Sequence, residues 1–272
     1  MAAQTSTTSP PISETLHEPQ SQQVDAICGK HGPYVSRVTE YHVLDTPTVI
    51  KSGCPDCAEE HRSEREARNR AEEAANRKRL VNMLLGNSGV PARFAGRTFD
   101  GYKATEAGQK IAASVCRAYA DNWPERKCSG ASLVLTGAPG TGKTHLACAI
   151  ATQVIELHLS SAMFIPVASM LRLIKETYRK DSQRSEQEVI DSLVSPDLLV
   201  LDEVGVQVGS EHEKLLMFEV LNERYQELRP TILISNLNAE ELEAFLGQRV
   251  MDRYRECGSV LAFDWQSYRG RP

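Results

Sequence analysis

No window of the chain approaches 18 consecutive apolar residues, so a membrane-spanning helix is not expected. The opening residues, MAAQTSTTSPPISETLHEPQ, lack a basic start and an apolar core, so a secretory leader is not expected either. Neither sign of charge is in large excess. A formal net charge of -5 over 272 residues excludes a globally basic nucleic-acid binder and leaves any such contact to a local patch. Seven cysteines without a leader point to a reducing, cytoplasmic setting, where disulfides are a poor explanation and metal ligation a better one. No internal repeat is visible. What remains is the composition of a folded soluble chain, 41% hydrophobic and 25% charged, with room for one domain of about 180 residues and a smaller module.

Four stretches differ in character. Residues 1–25 are rich in Thr, Ser, Pro and Gln and are expected to form a disordered tail. Residues 26–60 hold two candidate ligand pairs, Cys28-x-x-His31 and Cys54-x-x-Cys57. Three thiolates and one imidazole close a tetrahedral structural Zn²⁺ site. His42 and His61 are alternative nitrogen ligands, and the competing reading is two unrelated pairs. YVSRVTEYHVL and PTVIK between the pairs look like strands of a zinc-ribbon-like hairpin, and a segment with so few large apolar residues needs a staple. Residues 61–85 lack Pro and carry Glu64/Arg68, Glu66/Arg70 and Glu73/Arg77 at helical spacing, which predicts a charged helical linker. From residue 86 to 272, short apolar runs (133–136, 162–167, 198–201, 231–235, 260–263) alternate with helical patterns. That alternation predicts a parallel α/β sheet. One of the helices, over 213–228, is expected to bury Leu215, Phe218, Leu221, Tyr225 and Leu228.

Gly137-Ala138-Pro139-Gly140-Thr141-Gly142-Lys143-Thr144 matches G-x-x-x-x-G-K-[ST] between an apolar run and a helical one. In that setting backbone N–H groups and a helix N-terminus cradle phosphates. Lys143 reaches the β- and γ-phosphates of ATP, and the Thr144 hydroxyl ligates Mg²⁺. Farther on, the run LLVL ends in Asp202-Glu203. There Asp202 can hold the Mg²⁺ shell, and Glu203 can orient and deprotonate the attacking water; the bland alternative is a helix cap. Asn236 closes a third apolar run, where it could bond the γ-phosphate or the water, or simply form a turn. Arg249, Arg253 and Arg255 cluster near the C-terminus, either as a solvated face or as a source of an arginine finger. A helix from Ser169 to Lys180 would end in Lys175-Glu-Thr-Tyr178-Arg179. Bases stack on such rings and cations meet phosphates, although Tyr178 could equally face the core. Ser210 and His212 in the loop after the acid pair could also meet DNA.

Taken together these motifs resemble the AAA+ family of P-loop ATPases. The runs DLLVLDEVGVQ, ISNLN and LGQRVMDRYRECGSVLAFDWQSYR resemble the DnaC-type bacterial and phage helicase loaders over roughly residues 80–272. The resemblance implies an α/β P-loop AAA+ ATPase with a five-stranded parallel sheet. Only 14 residues follow Gly258, so no C-terminal lid is expected, as in this group and the related IstB-type transposition ATPases. It implies nucleotide and Mg²⁺ roles for Lys143, Thr144 and Asp202, and a catalytic base in Glu203. It further implies a first sensor in Asn236, an arginine finger in Arg253 with Arg249 beside it, and a second sensor in Arg269. The segment from Arg93 to Tyr102 would help frame the adenine. The implied partners are a DnaB-type replicative helicase, single-stranded DNA, and further copies of the chain in a ring or spiral. Two other readings stand beside it: an IstB-type ATPase that selects target duplex, and a zinc-dependent adaptor with a merely structural ATP site.

Overall fold

The structure is a computed structural model that describes residues 20–43, 46–206 and 210–268. The chain divides into two compact units, Met1–Ala75 and Asn76–Pro272. In the first, β1 (Gln20–Cys28), β2 (Gly32–Val43) and β3 (Thr46–Lys51) form an antiparallel sheet in the order β1-β2-β3. The hairpin foreseen between the ligand pairs is β2–β3. Strand β1 was not foreseen, and it starts inside the stretch assigned to the tail. Its sequence, QSQQVDAIC, is mostly polar, in keeping with a sheet whose apolar residues Val24, Ile27, Val35 and Ile50 are exposed.

Helix α1 (Pro55–Asn87) begins at the second ligand pair and buries no residue fully. Two of its arginines serve backbone carbonyls. Arg70 Nε donates to the carbonyl of Glu66. Within the second unit, Arg77 donates to the carbonyls of Glu156 and Leu157 at 2.8 and 3.0 Å. Those carbonyls lie at a helix C-terminus, where a cation satisfies acceptors that lack a partner within the helix.

The second unit continues with α2 (Ala107–Asp121), α3 (Trp123–Ser129), β4 (Ser132–Gly137), α4 (Lys143–His158), β5 (Ala162–Pro166), α5 (Val167–Glu176) and α6 (Glu186–Val194). It ends with β6 (Leu198–Val204), α7 (Glu211–Gln226), β7 (Thr231–Ser235), α8 (Ala239–Leu246), α9 (Gln248–Glu256) and β8 (Gly258–Phe263). The five strands form one parallel sheet in the order β5-β6-β7-β4-β8. Alternate residues feed two cores. Leu133, Leu135, Leu198, Val200, Ile232 and Ile234 pack under α2 and α4. Val134, Leu199, Leu201 and Leu233 pack under α5, α6, α7 and α9. Strands buried on both faces read as continuous apolar runs, which is why β4, β6 and β7 were legible; the edge strand β8 is only partly buried and was legible from its short run Val260–Phe263.

Two helices differ from expectation. Helix α5 ends at Glu176 and follows Pro166 as its N-cap, so Ser169 lies inside it and Tyr178 beyond it. Helix α7 buries Leu216, Met217, Val220, Leu221 and Arg224, whereas Leu215 and Leu228 are exposed. The helix has apolar residues all round, and the residue that marks the buried stripe is a charged one. Arg224 is fully buried, and among the described residues no carboxylate pairs with it. Its guanidinium donates to the carbonyls of Leu193, Val194, Pro196 and Pro230 and to Thr231 Oγ1, all within 3.1 Å. Burial pulls it down to about 10, still protonated at neutrality. Arg224→Met should lower the unfolding free energy in urea by about 3 kcal/mol or more, because the carbonyls stay buried without donors.

Candidate nucleotide site and cysteine centre

The loop between β4 and α4 lies at the C-terminal edge of the sheet, with β7 on one side of β4 and β8 on the other. Two of its glycines cannot be replaced. Gly137 has φ of 120° and Gly142 of 101°. A Cβ at Gly137 would lie 2.3 Å from the Phe263 carbonyl oxygen, and one at Gly142 would lie 2.5 Å from the Tyr102 ring. The loop therefore needs residues without side chains for both conformation and space. Lys143 is buried, and its ammonium donates to the carbonyls of Gly137 and Ala138 at 2.6 and 2.8 Å.

Strand β6 is next to β7 and brings the acid pair alongside. The Thr144 hydroxyl donates to Asp202 Oδ2 at 3.2 Å. Burial pushes the Asp202 carboxyl above its usual range. A hydroxyl and a carboxylate in contact are the donor types that bind Mg²⁺. The pairing of β6 with β7 slips between Leu201 and Val204, which leaves Asp202 and Glu203 unpaired on the β7 side while Asp202 still faces Pro166 of β5. Glu203 takes φ of 62°, a conformation that costs a side-chain-bearing residue about 1–2 kcal/mol, and its N–H bonds Asp202 Oδ1 at 2.8 Å. A bulge and a strained residue at a strand end are the means by which a sheet re-aims a side chain at a site. The Glu203 carboxylate is exposed there. Asn236 is exposed just past the end of β7, the strand between those that carry Asp202 and the loop.

The segment foreseen near the adenine packs against α4. His145 Nε2 meets the Thr98 carbonyl at 2.9 Å, and the Tyr102 hydroxyl donates to the Thr141 carbonyl at 3.2 Å. Sequence reasoning missed Trp265, whose indole N–H reaches the same Thr141 carbonyl at 2.9 Å; an aromatic two residues beyond the last strand was its only signal. Arg269 lies outside the described residues.

The three clustered arginines are held differently. Arg255 is neutralised by Glu243 at 2.5 Å and Asp252 at 3.3 Å. Arg249 is exposed. Arg253 is half-buried on α7: it donates to the Asn222 side-chain oxygen, and its guanidinium lies 4.9 Å from the Tyr225 ring centre. Both of these partners are neutral, and among the described residues no carboxylate forms an ion pair with Arg253.

Of the candidate DNA contacts, the structure brings Tyr178, Lys175 and His212 together. The Tyr178 ring is exposed, not in the core, and its hydroxyl lies 3.1 Å from His212 Nε2. Lys175 is paired with Glu213 at 2.5 Å. Ser210 caps α7, its hydroxyl accepting from the Glu213 N–H, so that hydroxyl has a structural task. Arg179 is exposed and pairs with Asp181. Residues 207–209 of this loop lie outside the described residues.

In the first unit, the ligand atoms of Cys28, His31, Cys54 and Cys57 all lie within 4.8 Å of one another. The Cys28 and Cys57 sulfurs are 3.5 Å apart, and His31 Nδ1 is 3.3–3.8 Å from the three sulfurs. A tetrahedron with Zn–S bonds of about 2.3 Å has edges near ~3.8 Å, so the four donors fit such an ion. The N–H groups of Lys30 and His31 pull the Cys28 thiol down to about 6, and its hydrogen bond with Cys57 pushes that thiol up to about 11. His31 Nε2 faces Glu60 at 3.2 Å, the outer partner that orients a ligating imidazole. His61 is exposed beside Glu64 and outside the cluster; the His42 side chain lies outside the described part.

A family model described as "IstB-like ATP binding protein" matches residues 65–271. The replicative helicase loader DnaC of Escherichia coli K12 is 37% identical over 205 residues, which cover 75% of this chain and 82% of the loader. A crystal structure of the DnaC helicase loader superposes with a TM-score of 0.57 at 23% identity, covering 63% of this chain and 99% of that one. The AMPPCP-bound DnaA of Aquifex aeolicus gives 0.51 at 22% identity, over 61% of this chain and 49% of that one. The parallel sheet and its phosphate loop are those of P-loop AAA+ proteins, and the length and identity of the match decide the rest: the chain belongs to the IstB/DnaC family of ATP-binding proteins.

Proposed function

We propose that the chain is an ATP-dependent loader that binds a DnaB-type replicative helicase and delivers it to single-stranded DNA. The 37% identity to a replicative helicase loader over three quarters of the chain carries this reading. It favours loading over target selection by an IstB-type transposition ATPase. The exposed carboxylate of Glu203, beside the Thr144–Asp202 pair, favours hydrolysis over a merely structural ATP site.

In this reading the loop N–H groups and Lys143 bind the phosphates. Thr144 and Asp202 would hold Mg²⁺, which supplies charge neutralisation between the β- and γ-phosphates when bound. Glu203 accepts a proton from the attacking water, Asn236 orients that water, and Arg253 acts on the nucleotide of a neighbouring copy. The cytoplasm is the setting, and among the described residues no helix is long and apolar enough to cross a membrane. Purified chain should co-elute with a DnaB-type hexamer from a sizing column; separate elution at micromolar concentrations would remove the helicase from the proposal.

Cys28, His31, Cys54 and Cys57 would hold a structural Zn²⁺ with no open position. Purified protein should contain about one Zn²⁺ per chain, and Cys54→Ser should lose it with melting of the small sheet. ATP binding should persist, because both hydrophobic cores consist of residues from the second unit. Metal analysis that finds neither zinc nor iron would remove the centre.

A further inference from the structure

The phosphate loop is tied down from two sides. Lys143 holds the carbonyls of its first half. Its second half is held by residues distant in sequence. The Thr141 carbonyl accepts from the Tyr102 hydroxyl at 3.2 Å and from the Trp265 indole N–H at 2.9 Å. The Gly140 carbonyl accepts from the Tyr268 backbone N–H at 2.8 Å. The two side-chain donors are themselves fixed. Trp265 is buried against Phe263, ring centres 4.8 Å apart, and against Gly108, where a Cβ would lie 3.1 Å from its ring. The Tyr102 ring rests on Gly142 and meets His145 edge-on at 5.5 Å.

A planar trans peptide carries its N–H opposite its C=O. Donors that fix the Thr141 carbonyl on the protein side therefore turn the Gly142 N–H to the other side. The Tyr268 bond to Gly140 does the same for the Thr141 N–H. Those N–H groups sit immediately before Lys143, the first residue of α4, where an anion is recognised.

We infer that Tyr102 and Trp265 are positioning residues for nucleotide binding: their two donors converge on the Thr141 carbonyl and set the peptide whose N–H meets the nucleotide's phosphates. The inference rests on reading residues 137–144 as the phosphate cradle. Two donors share one acceptor, so either alone keeps the peptide near its place but holds it less firmly.

The test uses the full chain with ADP and AMP as probes. Tyr102→Phe keeps its ring and Trp265→Phe keeps an aromatic ring, smaller than the indole; each removes one donor. Each should weaken ADP binding by about threefold or less, and the double variant by about tenfold or more, the worth of a hydrogen bond that orients a charge-binding group. AMP, which lacks the β-phosphate, should bind each variant as it binds wild type. A double variant that binds ADP within about twofold of wild type would overturn the proposal, the loss of a hydrogen bond being worth more than that. Equal weakening for ADP and AMP would also overturn it, because that describes a damaged pocket wall. If the double variant does not fold, hydrogen exchange in the single variants decides. Faster exchange confined to residues 140–142 supports the role; unchanged exchange overturns it. Lys143→Ala separates the two readings. If it binds ADP as wild type does, the cradle itself is misassigned; if it loses ADP and the double variant does not, only the present inference fails.

Discussion

Glu203→Gln should bind ATP as wild type does and hydrolyse it about 10²–10⁴-fold more slowly, the usual contribution of a positioned general base. The phosphate loop, Lys143 and the Thr144–Asp202 pair are untouched by the change, so binding should survive. The amide keeps the shape of the side chain and still donates or accepts one bond to water, but it takes no proton. Backbone strain strengthens the expectation. Glu203 is held at φ of 62° beside a break in the β6–β7 pairing, a local distortion of the kind that re-aims a side chain at a site. Glu203→Gly should raise stability slightly by relieving the strain while abolishing turnover. ATP affinity by equilibrium binding and phosphate release under saturation separate the two effects. Wild-type turnover in Glu203→Gln would mean that the acid next to Asp202 plays no part in proton transfer.

How much of this was legible follows from the distance over which each feature is encoded. The phosphate loop and the acid pair are contiguous motifs flanked by runs buried on both faces, so Leu133–Leu135 and Leu198–Leu201 read as strands at once. The cysteine pairs were legible as ligand spacings, but not their setting. The second pair opens helix α1, and the strand bearing Cys28 is too polar to read as a strand. The buried stripe of α7 was misplaced because its marker, Arg224, is a core residue held by carbonyls from α6 and from Pro230, just before β7. No local pattern announces a buried cation satisfied by distant backbone. Trp265 escaped for the same reason, and Tyr102 was foreseen only as part of an adenine-framing segment: their bonds to Thr141 exist only where the chain folds back on it.

Arg253→Ala should leave nucleotide binding unchanged and lower turnover by about 10³-fold or more, the range of an arginine supplied to the γ-phosphate by a neighbouring subunit. Its environment separates it from the other arginines on α9. Arg255 already has two carboxylates, whereas Arg253 rests on an amide and a ring, with no carboxylate among the described residues in an ion pair with it. Asn222→Asp distinguishes a live cation from a brace. A carboxylate beside Arg253 would tighten a brace and improve stability without harm to turnover. It would neutralise a finger and slow hydrolysis. Mixing Arg253→Ala with Lys143→Ala should recover activity, because each variant retains the half-site that the other lacks. Failure of rescue in demonstrably mixed oligomers would place Arg253 in its own chain's service.

The central claim is ATP-coupled delivery of a helicase to single strands. Its most direct measurement is helicase activity on a single-stranded DNA circle coated with single-strand-binding protein, with an annealed oligonucleotide as the reporter. A DnaB-type hexamer alone should displace little of the oligonucleotide. Addition of the wild-type chain with ATP should start displacement, and Lys143→Ala, which cannot hold the nucleotide, should not. Displacement that is no faster with the wild-type chain than without it, using a helicase shown to bind the chain, would contradict the account.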